Sequence, residues 1–339
     1  MSRKRKLWLL WLLGIMGCLN MCVLFVIQMN TPLFLFKDQY PDEDTQRGGI
    51  QITRNLSLAI YSKAGHRVYQ AGNITANMTV VTAYFDIGDF VKGRRLLRRQ
   101  LYEQWANFYG QMFNPMVIYT DSRRFYNHMK NVRKTTFRLT KLFLVNRNNL
   151  WSFDIMKRIN QIYKQKNYPR HYPNTVKPAY SSAQHAKFEL LADTLKHKFF
   201  KTEFYCWLDI GYFRDVFTRK DPFVLIAPPD LNSSLVAVTE IAEPEMNLDF
   251  INIVYNNKVW IGGGMYVGTP DVLLQLEKDY KTAVHYLLDQ NLMNTDQQVM
   301  YVLFSKNGRD VFKPVTQLQF YPANNNWYRL GYLSYRKIK

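Results

Sequence analysis

Cysteine is scarce in this chain: of three in 339 residues, Cys18 and Cys22 lie within the first 29 positions and only Cys206 lies beyond them. No internal disulfide can therefore staple the main body, which must be large enough to be stable on its own core. Cys206 stands in an apolar run, where a thiol behaves as a small hydrophobe and not as a nucleophile. Acidic residues are the second shortage: 26 stand against 45 Lys and Arg, and the net charge of +19 favours anionic partners. Phosphate-binding signatures are missing as well. No Gly-Lys-Ser/Thr follows Gly262, Gly263 and Gly264, which excludes a P-loop, and the spacing Gly-x-Gly-x-x-Gly lacks its third glycine there. No internal repeat is visible.

What the chain does have begins with Arg3, Lys4, Arg5 and Lys6, followed by 23 uncharged residues from Leu7 to Met29. At 1.5 Å per residue such a helix spans roughly 35 Å, enough to cross a bilayer. A cleaved leader would instead show an apolar core of about 7 to 15 residues and a small-residue cleavage site. The sequence thus predicts a cytoplasmic tail over 1–6 and a transmembrane signal anchor over 7–29. The basic residues hold that end in the cytosol. The expectation is a single-pass type II protein of the Golgi or another secretory-pathway membrane, with its body lumenal and nucleic acid excluded by compartment. Glycosylation sequons at Asn55, Asn73, Asn77 and Asn232 all fall on the lumenal side. Asn20 offers an interhelical hydrogen bond between two anchors, hence a homodimer, or is simply tolerated in lipid. Residues 30–77, with Pro32, Pro41, Gly48 and Gly49, read as a lumenal stem. The head then runs over 78–339.

Within the head, apolar and β-branched runs predict strands at 79–85, 117–121, 141–145, 204–208 and 235–239. Helical spacing is met by Leu96, Leu97, Leu101, Trp105 and Phe108, over 151–165, by Phe188, Leu191 and Leu195 within 182–198, and over 271–288; Asn294 or Thr295 caps one more helix. Strands alternating with helices predict an α/β fold with a mostly parallel sheet flanked by helices. In such sheets ligands collect outside the carboxyl ends of the strands. Asp86, Asp121 and Asp209 each end a predicted strand. Asp209 is the most pointed of them, a single carboxylate in Phe204-Tyr205-Cys206-Trp207-Leu208-Asp209-Ile210-Gly211-Tyr212-Phe213-Arg214. An ionised carboxylate is costly to bury unpaired, so it belongs where the strand leaves the core, as a site residue or as the ion-pair partner of Arg214. Arg214 has the alternative partner Asp215. Lys187 is a candidate cation or a solvated helix residue, and His185 reads as a partly exposed helix residue. Asp296 opens a helix after a polar turn, either as a reactive carboxylate or as a cap. Three consecutive glycines, 262–264, fit a place where backbone must approach something closely. The C-terminal Tyr321, Trp327, Tyr328, Tyr332 and Tyr335 either stack on sugar rings or belong to the core.

The runs Val81-Thr82-Ala83-Tyr84-Phe85-Asp86-Ile87-Gly88, Val117-Ile118-Tyr119-Thr120-Asp121, Trp207 to Arg214 and Gly262-Gly263-Gly264 resemble the HtrL/YibB family, a glycosyltransferase-like group. An anchor, a stem and an α/β head with carboxylates at strand ends is also the layout of Golgi glycosyltransferases of the GT-A class. The resemblance implies a GT-A-like fold and, by analogy, a nucleotide-sugar donor, with a glycan or glycoprotein as acceptor. On that reading the positions of the residues make Asp209 and Asp296 the candidate catalytic carboxylates, Asp296 as general base or acceptor-binding group, and Asp86, Asp121, Lys187, Asp209, Arg214, Gly262, Gly263 and Gly264 the candidate donor contacts. GT-A enzymes hold manganese or magnesium through an Asp-x-Asp motif, of which Asp209 is the first member here. The second position is Gly211, and where no metal is held, Arg214 and Lys187 supply the positive charge. A non-catalytic glycan-binding or receptor protein on the same fold is the alternative that Gly211 favours. A hydrolase with paired carboxylates, Asp86 and Asp89, is a second.

Overall fold

A computed structural model describes residues 60–61, 67–71, 74–216 and 218–338. The predicted tail, the anchor over 7–29, most of the stem and the sequons at Asn55 and Asn73 lie outside the described residues. Among those described, no helix is long and apolar enough to cross a membrane. Within the residues read as stem, Arg67–Ala71 pairs antiparallel with Ile74–Ala76, and Ala71 and Ala76 are buried against Val224.

Seven strands build the central sheet: β1 (Met78–Tyr84), β2 (Met116–Thr120), β3 (Thr140–Leu144), β4 (Phe204–Leu208), β5 (Val236–Glu240), β6 (Ile261–Gly268) and β7 (Leu318–Pro322). Their spatial order is β3-β2-β1-β4-β6-β5-β7. Within this sheet β6 runs antiparallel to both neighbours and the other pairings are parallel. The chain winds outward from β1 to β3, then returns to place β4 on the other side of β1. That reversal makes the gap between β1 and β4 the topological switch point, the crevice where α/β sheets take their ligands.

Every residue of β2 and β4 is buried, as expected for strands covered on both faces. On one face Met116, Ile118, Cys206 and Met265 join Phe108, Phe125, Met129 and Phe223 in a single core. Cys206 is fully buried there, and burial pushes its thiol pKa far up, as its apolar setting predicted. On the opposite face the Tyr119 hydroxyl donates to Asp193 at 2.9 Å, and the Tyr266 ring lies 5.3 Å from Phe188. Arg133 is a buried cation that donates to the carbonyls of Tyr109, Met112 and Asn114 and to the Thr140 hydroxyl. It ties the turn after the first helix to the sheet, and burial lowers its pKa to about 9.

The helices that matter for the site are α1 (Arg99–Ala106), α2 (Arg123–Val132), α3 (Trp151–Asp154), α4 (Met156–Tyr163), α5 (Pro178–His197), α6 (Pro270–Asp289) and α7 (Asp296–Phe304). Leu96 and Leu97 are not helical: they lie in the second strand of a hairpin, Phe90–Lys92 with Arg95–Leu97, which turns at Gly93 with φ +61°. Only glycine adopts that conformation freely. The helix expected over 151–165 is interrupted at Ile155, and α5 starts earlier than Ser182 because Pro178 suits a first helical turn.

Glu189 on α5 caps α3 by accepting from the amides of Trp151 and Ser152 at 2.9 and 3.1 Å. Burial outweighs these bonds and raises its pKa from 4.5 to about 7. A carboxyl whose folded pKa is raised holds its proton in the fold and not in the unfolded chain. Stability therefore falls as pH rises from about 4.5 to about 7, by up to about 3 kcal/mol for this group. His185, lowered to about 3 by burial, acts the other way below about pH 6.5. Melting curves of native protein and Glu189→Gln between pH 5 and 8 should show the native curve falling more steeply with pH than that of the variant.

Candidate functional site

The carboxyl ends of β1, β2 and β4 bring Asp86, Asp121 and Asp209 to one edge of the sheet. Asp86 and Asp121 are tied together, the Asp86 amide donating to Asp121 Oδ1 at 2.8 Å. Arg147 forms an ion pair with Asp121 Oδ2 and donates to the Asp86 carbonyl, both at 3.1 Å, and Arg99 pairs with the Asp86 carboxylate. Asp89 faces Arg98 at 3.9 Å, with both side chains exposed.

Asp209 leaves β4 with its side chain 38% exposed. One of its oxygens accepts from the Trp207 indole at 2.8 Å and faces Lys187 Nζ at 3.1 Å. Lys187 is 3% exposed and not on a solvated face, because α5 is buried on nearly every side between Tyr180 and Leu195. Its ammonium also donates to Asp296 Oδ2 at 2.9 Å and to the Gly263 carbonyl at 2.8 Å. Burial alone would lower the pKa of Lys187; the carboxylates of Asp209 and Asp296 outweigh it and hold the pKa above the usual lysine value. Asp296 is itself 3% exposed at the first position of α7, with burial raising its pKa against the pull of Lys187. One buried cation thus fixes two carboxylates from distant parts of the chain, one closed off and one open to the crevice.

Two further cations border this crevice. Arg214 stacks its guanidinium on Tyr328 at 4.8 Å and on Trp105 at 5.8 Å and donates to the Gly211 carbonyl; the ion pair with Asp209 or Asp215, one of its two readings, does not form. Lys92 reaches in from the hairpin: the residue is exposed, yet its ammonium donates to the Tyr180 hydroxyl at 2.8 Å. Burial there lowers its pKa, with Asp209 and Asp296 pulling the other way. Three basic side chains, Lys92, Lys187 and Arg214, stand against two carboxylates, Asp209 and Asp296, a balance that suits an anionic ligand. Sequence reasoning missed Lys92, Trp105 and Tyr180; Lys92 carries no local signal, since the three-residue strand Phe90–Lys92 on which it stands shows no pattern of its own. His185, expected to be partly exposed, is fully buried and bonded through its ring nitrogens to Ser181 and Tyr280.

The three glycines lie inside β6, and what approaches them is the chain itself. A Cβ on Gly263 would stand 2.2 Å from Asp296 Oδ2, one on Gly264 2.8 Å from the Tyr212 ring, and one on Gly262 3.1 Å from Ile241. The missing side chains make room for the Lys187–Asp296 pair on one face of the strand and for Tyr212 on the other. The C-terminal aromatics divide: Tyr321 is buried and Tyr335 stacks on Phe223, whereas Trp327 remains 42% exposed. Of the described sequons, Asn77 is half-buried and accepts from the Ala227 amide at 3.3 Å, while Asn232 is exposed.

The residues present do not fit a resident divalent metal. Among the described residues no group of three His, Cys, Asp or Glu converges on one point. Both oxygens of Asp209 are engaged by Lys187, and the space where a second acid would stand is filled, a Cβ on Gly211 lying 2.9 Å from the Trp105 ring. Gly211→Asp should accordingly lower stability by about 1–3 kcal/mol, the cost of an overpacked core. Manganese should not restore the melting temperature; a manganese-dependent rise would show that the site accepts a metal after all.

The family described as "Bacterial protein of unknown function (HtrL_YibB)" matches residues 76–325. No curated protein matches the chain. Among solved structures, the crystal structure of mouse xyloside xylosyltransferase 1 in its apo form is 9% identical, with 74% of this chain and 98% of that chain covered and a TM-score of 0.34.

Proposed function

The chain belongs to the HtrL/YibB family, and from its crevice we propose that it is a membrane-tethered glycosyltransferase with a GT-A-like head, moving a sugar from a nucleotide diphosphate donor to a glycan acceptor in the secretory pathway. The observation that carries this reading is Asp209, half-open at the carboxyl end of β4 beside the switch point, with Lys187 buried behind it. The nucleoside lies toward Asp86 and Asp121, and the diphosphate lies against Arg214 and Lys92. As the bond from the anomeric carbon to the phosphate oxygen breaks, its electron pair passes to the diphosphate. Fixed cations stabilise that growing charge best when they are already in place, which the stacking of Arg214 and the Lys92–Tyr180 bond ensure. The acceptor hydroxyl oxygen bonds to the anomeric carbon, and its proton leaves toward the Asp209 carboxylate. Asp296, closed off from solvent, positions Lys187 and does not meet the acceptor. The charge pattern of 1–29 supports a type II, Golgi-type topology, and a glycan on exposed Asn232 would place the head in the lumen.

Hydrolysis of a panel of nucleotide sugars by the full-length protein in detergent, with and without chelator, tests the reading. At least one donor should be cleaved without added metal, and Asp209→Ala and Arg214→Ala should each reduce the rate about 10² to 10³-fold. The filled space at Gly211 favours a second reading, a glycan-binding protein without turnover. Failure of every nucleotide sugar to be cleaved or to raise the melting temperature would establish that reading instead.

A further inference from the structure

A second cavity opens at the same edge of the sheet, beyond the crevice, where β5 and β7 end. It measures about 790 Å³ and is lined by Glu240, Glu243, Asn324, Asn325 and Trp327 among others. That volume lies within the roughly 300–1,000 Å³ of small-molecule sites. We infer that this cavity is the acceptor subsite and takes an uncharged, hydroxyl-rich sugar ring, an inference that rests on the transferase reading above.

Three features of the cavity argue for a sugar. Trp327 holds an indole 42% exposed at the rim, an apolar platform of the kind that suits the C–H face of a pyranose. Asn324 and Asn325 both sit in the left-handed region, φ +48° and +65°. Consecutive non-glycine residues there are strained, and such strain persists where the surrounding structure enforces it, as it does at ligand clamps. Here the turn is closed by the Asn326 amide on the Ala323 carbonyl at 2.8 Å, and the two side-chain amides are left exposed at the rim. Glu240 is held by the Trp260 indole at 3.0 Å, so one carboxylate oxygen is fixed while the other remains for hydroxyl groups.

Charge selects among sugars. In a protein of net charge +19, this pocket shows Glu240 and Glu243 and none of its lining residues is Lys, Arg or His. A uronic or sialic acid would meet like charge, whereas a neutral ring would find acceptors for its hydroxyls. The pocket shares elements with the crevice: Ile241 on its wall lies against Gly262 of β6, and Trp327 precedes Tyr328, on which Arg214 stacks. An acceptor held here would extend toward Asp209.

The test is saturation-transfer NMR on the full-length protein with the methyl glycosides of glucose, galactose, mannose and N-acetylglucosamine, and with methyl glucuronide as the charged control. Transfer to at least one neutral glycoside and none to the glucuronide is expected. Trp327→Ala should weaken that binding at least tenfold, and Glu243→Lys, at an exposed rim position, should let the glucuronide bind. Silence from every neutral glycoside, binding unaffected by Trp327→Ala, or equal binding of the glucuronide to the native protein would overturn the inference. Nucleotide-sugar cleavage without glycoside binding removes the subsite and leaves the transferase. Glycoside binding without any response to nucleotides removes the transferase and leaves a sugar site.

Discussion

Lys187→Met should destabilise the protein by about 3–5 kcal/mol, because it strands the buried Asp296 carboxylate without its counter-charge. For a domain of this size that is a fall of roughly 10 °C in melting temperature. The same change should cut donor turnover about 10² to 10³-fold, since Asp209 loses the cation that fixes it. The two effects have different causes and can be separated. In the single variant Asp296 recovers part of the lost stability by taking up a proton, so the deficit should shrink between pH 8 and pH 5. In Lys187→Met/Asp296→Leu no buried charge remains, and stability should return to within about 1–2 kcal/mol of native while turnover stays lost. A pH-independent deficit below about 1 kcal/mol would mean that the ammonium and the carboxylates are not coupled as their 2.9 and 3.1 Å separations require.

Gly263→Ala should be the most damaging single methyl in the sheet. Its Cβ would stand 2.2 Å from Asp296 Oδ2 and 3.1 Å from Asp296 Cγ. Asp296 is a short side chain held by Lys187, so either the ion pair opens or β6 moves away from α7. Overpacking alone costs about 1–3 kcal/mol, and disturbing the buried pair adds to it. The neighbouring glycines provide the scale. Gly264→Ala meets the Tyr212 ring at 2.8 Å, and Gly262→Ala meets the more adaptable Ile241 at 3.1 Å. Chemical denaturation should rank the losses 263, then 264, then 262, and only Gly263→Ala should also change the pH dependence of stability. Equal losses at all three positions would show that backbone entropy, not the space taken by Asp296, explains the triplet.

The position of Asp209 was legible because a lone carboxylate in an aromatic run has few places to go, and the end of a buried strand is one. Strands β1 to β5 were legible for the same reason, as short apolar runs bounded by polar residues. Lys187 was named, but its neighbourhood could not be read: α5 is buried nearly all round, so it shows no polar face to tell a buried lysine from a solvated one. Arg214 was read either as a cation for the donor or as the partner of a carboxylate, and its guanidinium lies over aromatic rings. Guanidinium groups accept either kind of partner, and sequence spacing does not choose between them. Lys92 was invisible, since it acts across the hairpin on Tyr180, 88 residues away.

The amino-acid sequence by itself determined the alternation of strands and helices, the strand-end carboxylates, the scarcity of thiols and the basic balance, because each depends on residues close together along the chain. The tertiary structure alone decided that Lys187, Asp209 and Asp296 meet, that Trp105 fills the place of a second acid, and that the glycine triplet makes room for the protein's own side chains. Those contacts span up to 109 residues and depend on strand order. The reversal that sets β4 beside β1 is a property of the whole sheet, and no local pattern specifies it.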